Sequence, residues 1–246
     1  MNLFEYAFCK DFDKKLEYLS KMSPERWSFN GGNDNCILKN YISHTFSKIS
    51  EENKIATKDN VSLFNTGLYT QYYEPIYAYF TKNRNSNKQE WFLESFYTQY
   101  QLASMGISNF PVRANYFEDP GQLVFNTNLE IIPQYQHIFD DADNFNRIPE
   151  VIRNSPSLKI IFDGAIKKAK QQVDANYKTA VPQYYKGKIQ LLIPLCLINP
   201  DIPDLALVVS KDESGTQYLG HTCLTLEMAY NNARLIAKPD SAWLVP

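Results

Sequence analysis

The chain reads as an α+β protein, with a mixed or mainly antiparallel sheet and packed helices forming a single domain over residues 1–246. Three observations predict this. Apolar residues recur at helical spacing near the start and in the middle of the chain. Between and after those stretches, short apolar runs flank polar turns in the manner of hairpins. Hydrophobic residues make up 44% of the chain and charged residues 21%, enough apolar material for a real core, and no low-complexity linker divides it.

The elements follow in order. Phe8, Phe12, Leu16 and Leu19 mark a first helix that ends near Pro24. Gly31, Gly32 and Asn33 mark a turn. A second helix starts at Cys36, with Leu38, Ile42 and Phe46 on one side. Val61, Leu63 and Phe64 then lead into Asn65-Thr66-Gly67, a tight turn or a bulge. Ile76–Phe80 and Trp91–Phe96 are strands joined by a polar turn over Lys82–Lys88. The string Leu63–Leu68 is echoed by Val124–Leu129; both carry Asn-Thr after an apolar residue, as a strand exit would. Pro133–Pro149 reads as a loop containing Asp140, Asp141 and Asp143. Pro149–Tyr177 reads as helix, with Ile161, Ala165, Ala169 and Val173 on one side. Pro182–Lys188 reads as a break. Ile189–Leu197 and Leu205–Val209 are apolar strands, and the turn Lys211–Gly215 makes a hairpin of the second with Gln217–Gly220. Thr225 caps a last helix that starts at Leu226, and Pro239 lies at or beyond its end.

Composition narrows the functional classes. The net charge is -2, so no global basic field holds phosphates non-specifically. A nucleic-acid or nucleotide partner needs a local patch, such as Lys167, Lys168 and Lys170, or Lys186 and Lys188. These lysines equally fit a solvated surface. Cys9, Cys36, Cys196 and Cys223 show no paired spacing, which argues against a disulfide scaffold and a zinc site. The N-terminus lacks the basic start of a signal peptide. The apolar run Ile189–Ile198 is too short to span a membrane. A cytoplasmic protein without membrane contact is the expectation. The aromatic content, 17 Tyr, 15 Phe and 3 Trp, serves either a core or a surface that stacks bases.

No Walker loop, no His-Glu-x-x-His and no Gly-x-Ser-x-Gly is present, and the sequence assigns no cofactor and no metal. Of the histidines His44, His137 and His221, the last stands out. It follows Gly220 at an expected strand end, where imidazole is suited to general acid or base work. A histidine hydrogen-bonded at a strand–helix junction is the plainer alternative. On the helix that follows, Glu227, Asn231 and Arg234 fall at i, i+4 and i+7 and share one face, with Asn232 beside them. Arg234 offers a planar donor fork for a phosphate or carboxylate. Glu227 could hold a divalent metal, although one carboxylate makes a poor metal site. Arg113, between apolar neighbours, is expected half-buried and in need of an anionic partner. Asn65 is a further polar contact. Tyr69, Tyr72 and Tyr73 either pack or form a platform for bases.

Four strings carry a resemblance: FNTGLYT (64–70), EPIYAYF (74–80), RANYF (113–117) and GHTCLTLEMAYNNARLIAKPDSAWL (220–244). Together they resemble a bacterial family of domains of unassigned function labelled DUF3825. The resemblance implies company with RNA-associated modules and hence a role in RNA or nucleotide metabolism. It implies no particular reaction and no catalytic residues. Three readings follow. The first is an enzyme acting on a phosphate ester of RNA or a nucleotide, with His221 and Glu227 catalytic. In it Asn65, Tyr69, Arg113, Asn231 and Arg234 bind substrate. The second is a non-catalytic RNA- or nucleotide-binding module on the same residues. The third is a protein-interaction domain.

Overall fold

Apolar residues four apart become helices and alternating runs become strands, and the computed structural model gathers them into two units, Met1–Asn115 and Tyr116–Val245. It describes residues 1–85 and 87–246. The α+β class and the mainly antiparallel pairing hold, with the strands distributed over two five-stranded sheets.

In the first unit, α1 (Leu3–Tyr6) leads into β1 (Ala7–Phe8), α2 (Phe12–Met22) and α3 (Cys36–Glu51). The apolar spacing read from the sequence is the buried one except at Phe8, which falls in β1 rather than in the first helix and is half-buried. Phe12, Leu16 and Leu19 of α2 are buried, as are Leu38, Ile42 and Phe46 of α3. Then come β2 (Ala56–Lys58), β3 (Val61–Tyr69), β4 (Pro75–Lys82), β5 (Trp91–Thr98) and α4 (Gln99–Ser104). The sheet order is β1-β5-β4-β3-β2, antiparallel except for β1 beside β5. The polar connection between β4 and β5 was expected over Lys82–Lys88; Ser86 within it lies outside the described residues. Asn65-Thr66-Gly67 is a bulge inside β3 rather than a turn: the pairing with β4 slips between Asn65 and Tyr69. Gly67 there has φ +73°, a conformation that glycine adopts without the Cβ penalty.

In the second unit, β6 (Glu130–Pro133) is followed by α5 (Tyr135–Asp140), α6 (Ala142–Arg147), α7 (Glu150–Arg153) and α8 (Leu158–Ala175). Next are β7 (Val181–Tyr185), β8 (Lys188–Leu195), β9 (Leu205–Lys211), β10 (Gln217–Leu224) and α9 (Leu226–Arg234). The sheet order is β6-β10-β9-β8-β7, antiparallel except for β6 beside β10. One face buries Leu191, Ile193, Leu207 and Val209 against Phe162, Ala165, Ala169 and Val173 of α8. On the other face Leu192, Ala206 and Val208 are also buried, and α9 packs there against β7. The Thr225 side chain caps α9 as its position predicts, accepting from the Met228 amide at 3.3 Å.

Three expectations change here. Pro133–Pro149 is not a loop but holds α5 and α6, and Asp141 of the acidic run caps α6 by accepting from the Asn144 amide at 2.9 Å. Pro182–Lys188 is not a break: Pro182 lies in β7, which sits at the sheet edge, where a missing N–H costs no ladder bond. The two Asn-Thr strings are not strand exits. One lies inside β3 and the other before β6. What they share is local chemistry, since the Asn65 and Asn126 side chains each accept the amide two residues on, at 2.9 and 3.1 Å.

Candidate functional site

The most chemically pointed group of side chains lies in the second unit, around the middle of β10. Gly220 pairs with Val209 and Thr222 with Val208, so His221 is the extra residue of a β-bulge. Bulges of this kind re-aim a side chain and recur beside active sites. They also raise the local twist. His221 Nε2 lies 2.6 Å from the Ser210 hydroxyl on β9. Burial holds the His221 imidazole below its usual range, and the positive charge of Lys188 pushes the same way. The ring is therefore neutral at pH 7, the form that accepts a proton.

β6 explains how His137 reaches this place. Its parallel pairing with β10 runs from Gln217 opposite Glu130 to Gly220 opposite Pro133, and the Gln134 amide donates to Gly220 O at 2.8 Å. The chain then turns into α5, which carries His137, and α6, which covers the strand edge that β6 no longer occupies. Asn144 of α6 is 4% exposed and is satisfied on every side. Its Oδ1 accepts from Arg147 Nη1 at 2.7 Å and from the Thr222 hydroxyl at 2.5 Å. Its Nδ2 donates to His137 O at 3.1 Å and faces His137 Nε2 at 3.2 Å. Arginine can only donate, so the amide orientation is fixed, and His137 Nε2 must accept. The His137 proton is then on Nδ1. Arg147 Nη1 also donates to Cys223 O at 2.8 Å. Burial pushes the Cys223 thiol up to about 12, so it is not a nucleophile near neutral pH.

The residues expected from the sequence fall into two groups. His221, Glu227, Asn231 and Arg234 belong to the second unit. Glu227 is exposed and Asn231 is half-buried, with its Oδ1 buried and unpaired among the described residues. Arg234 is 6% exposed and has a partner, so it is not a free clamp. Asn65, Tyr69 and Arg113 belong to the first unit. The Asn65 side chain is spent on Pro111 O at 3.2 Å and on the Gly67 amide. Arg113 is exposed rather than half-buried, because its flanking Val112 is exposed too; the requirement for a buried anionic partner lapses. Tyr69 is 39% exposed, Tyr72 82% and Tyr73 84%, which removes packing as the reason for the last two. Tyr100, also exposed, joins them through its amide, which donates to Glu74 Oε1 at 2.6 Å.

The polar clefts elsewhere in the chain are less reactive. One of about 1220 Å³ in the first unit is lined by Glu17, Arg26, Trp27, Asp34, Cys36 and Lys39, among others. Part of its charge is paired internally, Lys39 with Asp13 at 3.0 Å and Glu17 with Lys21 at 2.7 Å. Hydrogen bonds led by the Cys36 amide hold Asp34 below the carboxylate range, and burial raises Cys36. Neither group is suited to neutral-pH proton transfer. Lys167 and Lys170 line a cleft of about 600 Å³ beside α8, but Glu130 pairs with Lys170 at 2.6 Å and Asp163 and Asp174 share the lining. That basic patch is largely compensated. No cluster of metal-binding side chains occurs among the described residues, and no helix among them is long and apolar enough to cross a membrane.

His137, Asn144, Arg147 and Ser210 were not singled out as site residues in the sequence, and Lys188 only as half of a candidate basic patch. The signal for His137 existed, a histidine beside a Pro-bounded strand, but the acidic run around it masked the helices. No curated protein and no solved structure matches the chain. A family model, Domain of unknown function (DUF3825), matches residues 19–243, nearly the whole of it. The strings that carry the resemblance include the bulged strand and the helix after it, and the chain belongs to the DUF3825 family.

Proposed function

We propose that the second unit carries a site for chemistry on a phosphate ester of RNA or a nucleotide, with His221 as its acid/base group. The observation that carries this reading is the 2.6 Å contact between His221 Nε2 and the Ser210 hydroxyl in a bulge, with the imidazole kept neutral. A neutral imidazole takes a proton from an attacking hydroxyl, either that of Ser210 or one of the substrate or water. The resulting imidazolium then returns the proton to the leaving oxygen. Lys188 supplies positive charge nearby. Arg147 spends Nη1 on Asn144 Oδ1 and Cys223 O, and its Nε and Nη2 remain for a phosphate oxygen. His137 offers Nδ1–H for the same use. These groups take over the anion-holding role expected of Arg234 and Arg113. The nucleic-acid half of the reading rests on the family resemblance.

A specific observation favours a second reading, a non-catalytic binding module. Tyr69, Tyr72, Tyr73 and Tyr100 expose their rings around one hairpin of the first unit, and Tyr69 and Tyr73 lie 6.4 Å apart. Exposed rings stack bases without sequence preference, at about 1–3 kcal/mol per base. Assays of the purified protein on a short single-stranded RNA, a 2′,3′-cyclic nucleotide and a chromogenic phosphodiester separate the two. Turnover lost in Ser210→Ala and His221→Ala supports the enzyme. RNA binding without turnover of any of the three supports the module.

A further inference from the structure

The face of the second sheet that meets α9 carries a polar row where an apolar one would pack better. Gln183 on β7 is 1% exposed. It pairs across the ladder with Gln190 on β8, and its Nε2 donates to Gln190 Oε1 at 3.0 Å. Behind it, Asn232 Nδ2 of α9 donates to Gln183 Oε1 at 3.1 Å. The pair Leu191–Val209 puts Gln190, one step along, opposite Ser210 on β9, and opposed residues share a face at Cβ separations of about 4.5–5.5 Å. Ser210 in turn meets His221. The row thus runs from the helix across three strands to the bulge, and Lys188 lies two residues from Gln190 on the same face of β8.

The chain of amides has a direction. Asn232 gives to Gln183 and Gln183 gives to Gln190, so the Gln190 oxygen is used and its Nε2 is left to donate. The geometry points to Gln190 as a substrate-binding donor beside Ser210 and His221, aimed by Gln183 and Asn232 and taking a phosphate oxygen. A donor whose orientation is set by buried partners reorganises little when charge arrives. Gln183 could not be buried without both of its bonds, since an unsatisfied amide costs about 1–3 kcal/mol. That makes the row a positioning device with its open end at the bulge. The inference rests on the phosphate-ester reading of that site.

Inorganic phosphate titrated into the full chain, followed by ¹⁵N NMR of the Gln190 side-chain amide and the His221 ring, tests it. The expected result is that both signals move along one saturation curve. Asn232→Asp turns the head of the row from donor to acceptor, which reverses each amide and presents the Gln190 oxygen. It should weaken phosphate binding about tenfold or more, and Gln190→Leu should do the same while also lowering the melting temperature, because it leaves the buried Gln183 Nε2 unpaired. A purely structural row predicts a lowered melting temperature and unaltered phosphate affinity. If His221 responds while Gln190 stays silent and Gln190→Leu binds phosphate like the parent, the inference is overturned and the site reading stands. If neither signal moves at millimolar phosphate, both fall. Should Asn232→Asp fail to fold, the titration of the unaltered chain decides by itself.

Discussion

At the scale of single residues the proposed chemistry turns on His221. Its prominence was legible in the sequence, because a histidine beside a glycine at a strand–helix passage has few partners in its own segment. Its partner Ser210 was not legible as such. The pairing depends on a one-residue bulge, which a period-two pattern cannot reveal. Asn144 and Arg147 were hidden for a different reason: short helices of six residues leave too little periodicity to read. Arg113 misled, since apolar neighbours in sequence are not neighbours in space. The imidazole of His221 leads to a stability prediction. The unfolded chain protonates this histidine near about 6.5, and the folded chain does so only at lower pH. Between those values unfolding takes up a proton, so the contribution is intact above about 6.5 and is lost as pH falls through that window. Urea unfolding at pH 7.5 and 5.5 should therefore show a larger acid loss in the parent than in His221→Gln. Equal losses would remove the burial argument for a neutral ring.

At the scale of elements, most helices and strands follow from spacing that survives in the burial. Of the α8 stripe Ile161, Ala165, Ala169 and Val173, the last three are buried as read and Ile161 is half-buried. The Thr225 cap and the β9–β10 hairpin were equally plain. The departures have local causes. An edge position allows Pro182 in a strand, and an aspartate in an acidic run serves as a cap. The Asn65-Thr66-Gly67 bulge is where an element is most exposed to a single change. A Cβ on Gly67 would lie 2.7 Å from the Tyr41 hydroxyl, which donates to Thr66 O at 2.9 Å. Its backbone conformation is also one that alanine avoids. Gly67→Ala should destabilise the first unit by about 1–3 kcal/mol, measured by chemical denaturation followed through Trp27 and Trp91. An unchanged midpoint would mean that the bulge relaxes at no cost.

At the scale of the whole molecule, the two units each bury a core of their own, and every side chain of the proposed reaction lies in the second. The division was not legible in the hydrophobic pattern, because the passage near Asn115 has no linker composition. Each unit is of a size that can form an independent core. A chain of residues 116–245 should therefore fold with a cooperative transition and keep the phosphate-ester turnover; a folded but inactive fragment would assign part of the site to the first unit. The exposed tyrosines, by contrast, belong wholly to the first unit, so RNA affinity and turnover should separate between the two halves. The central claim, acid/base chemistry at His221, is tested most directly by comparing His221→Ala with the parent on a short single-stranded RNA, reading turnover and affinity together. In His221→Ala kcat should fall by about 10²–10⁴ while Kd changes little. A parent that binds the RNA but turns over none, or a His221→Ala variant that keeps the parent's kcat, would contradict it.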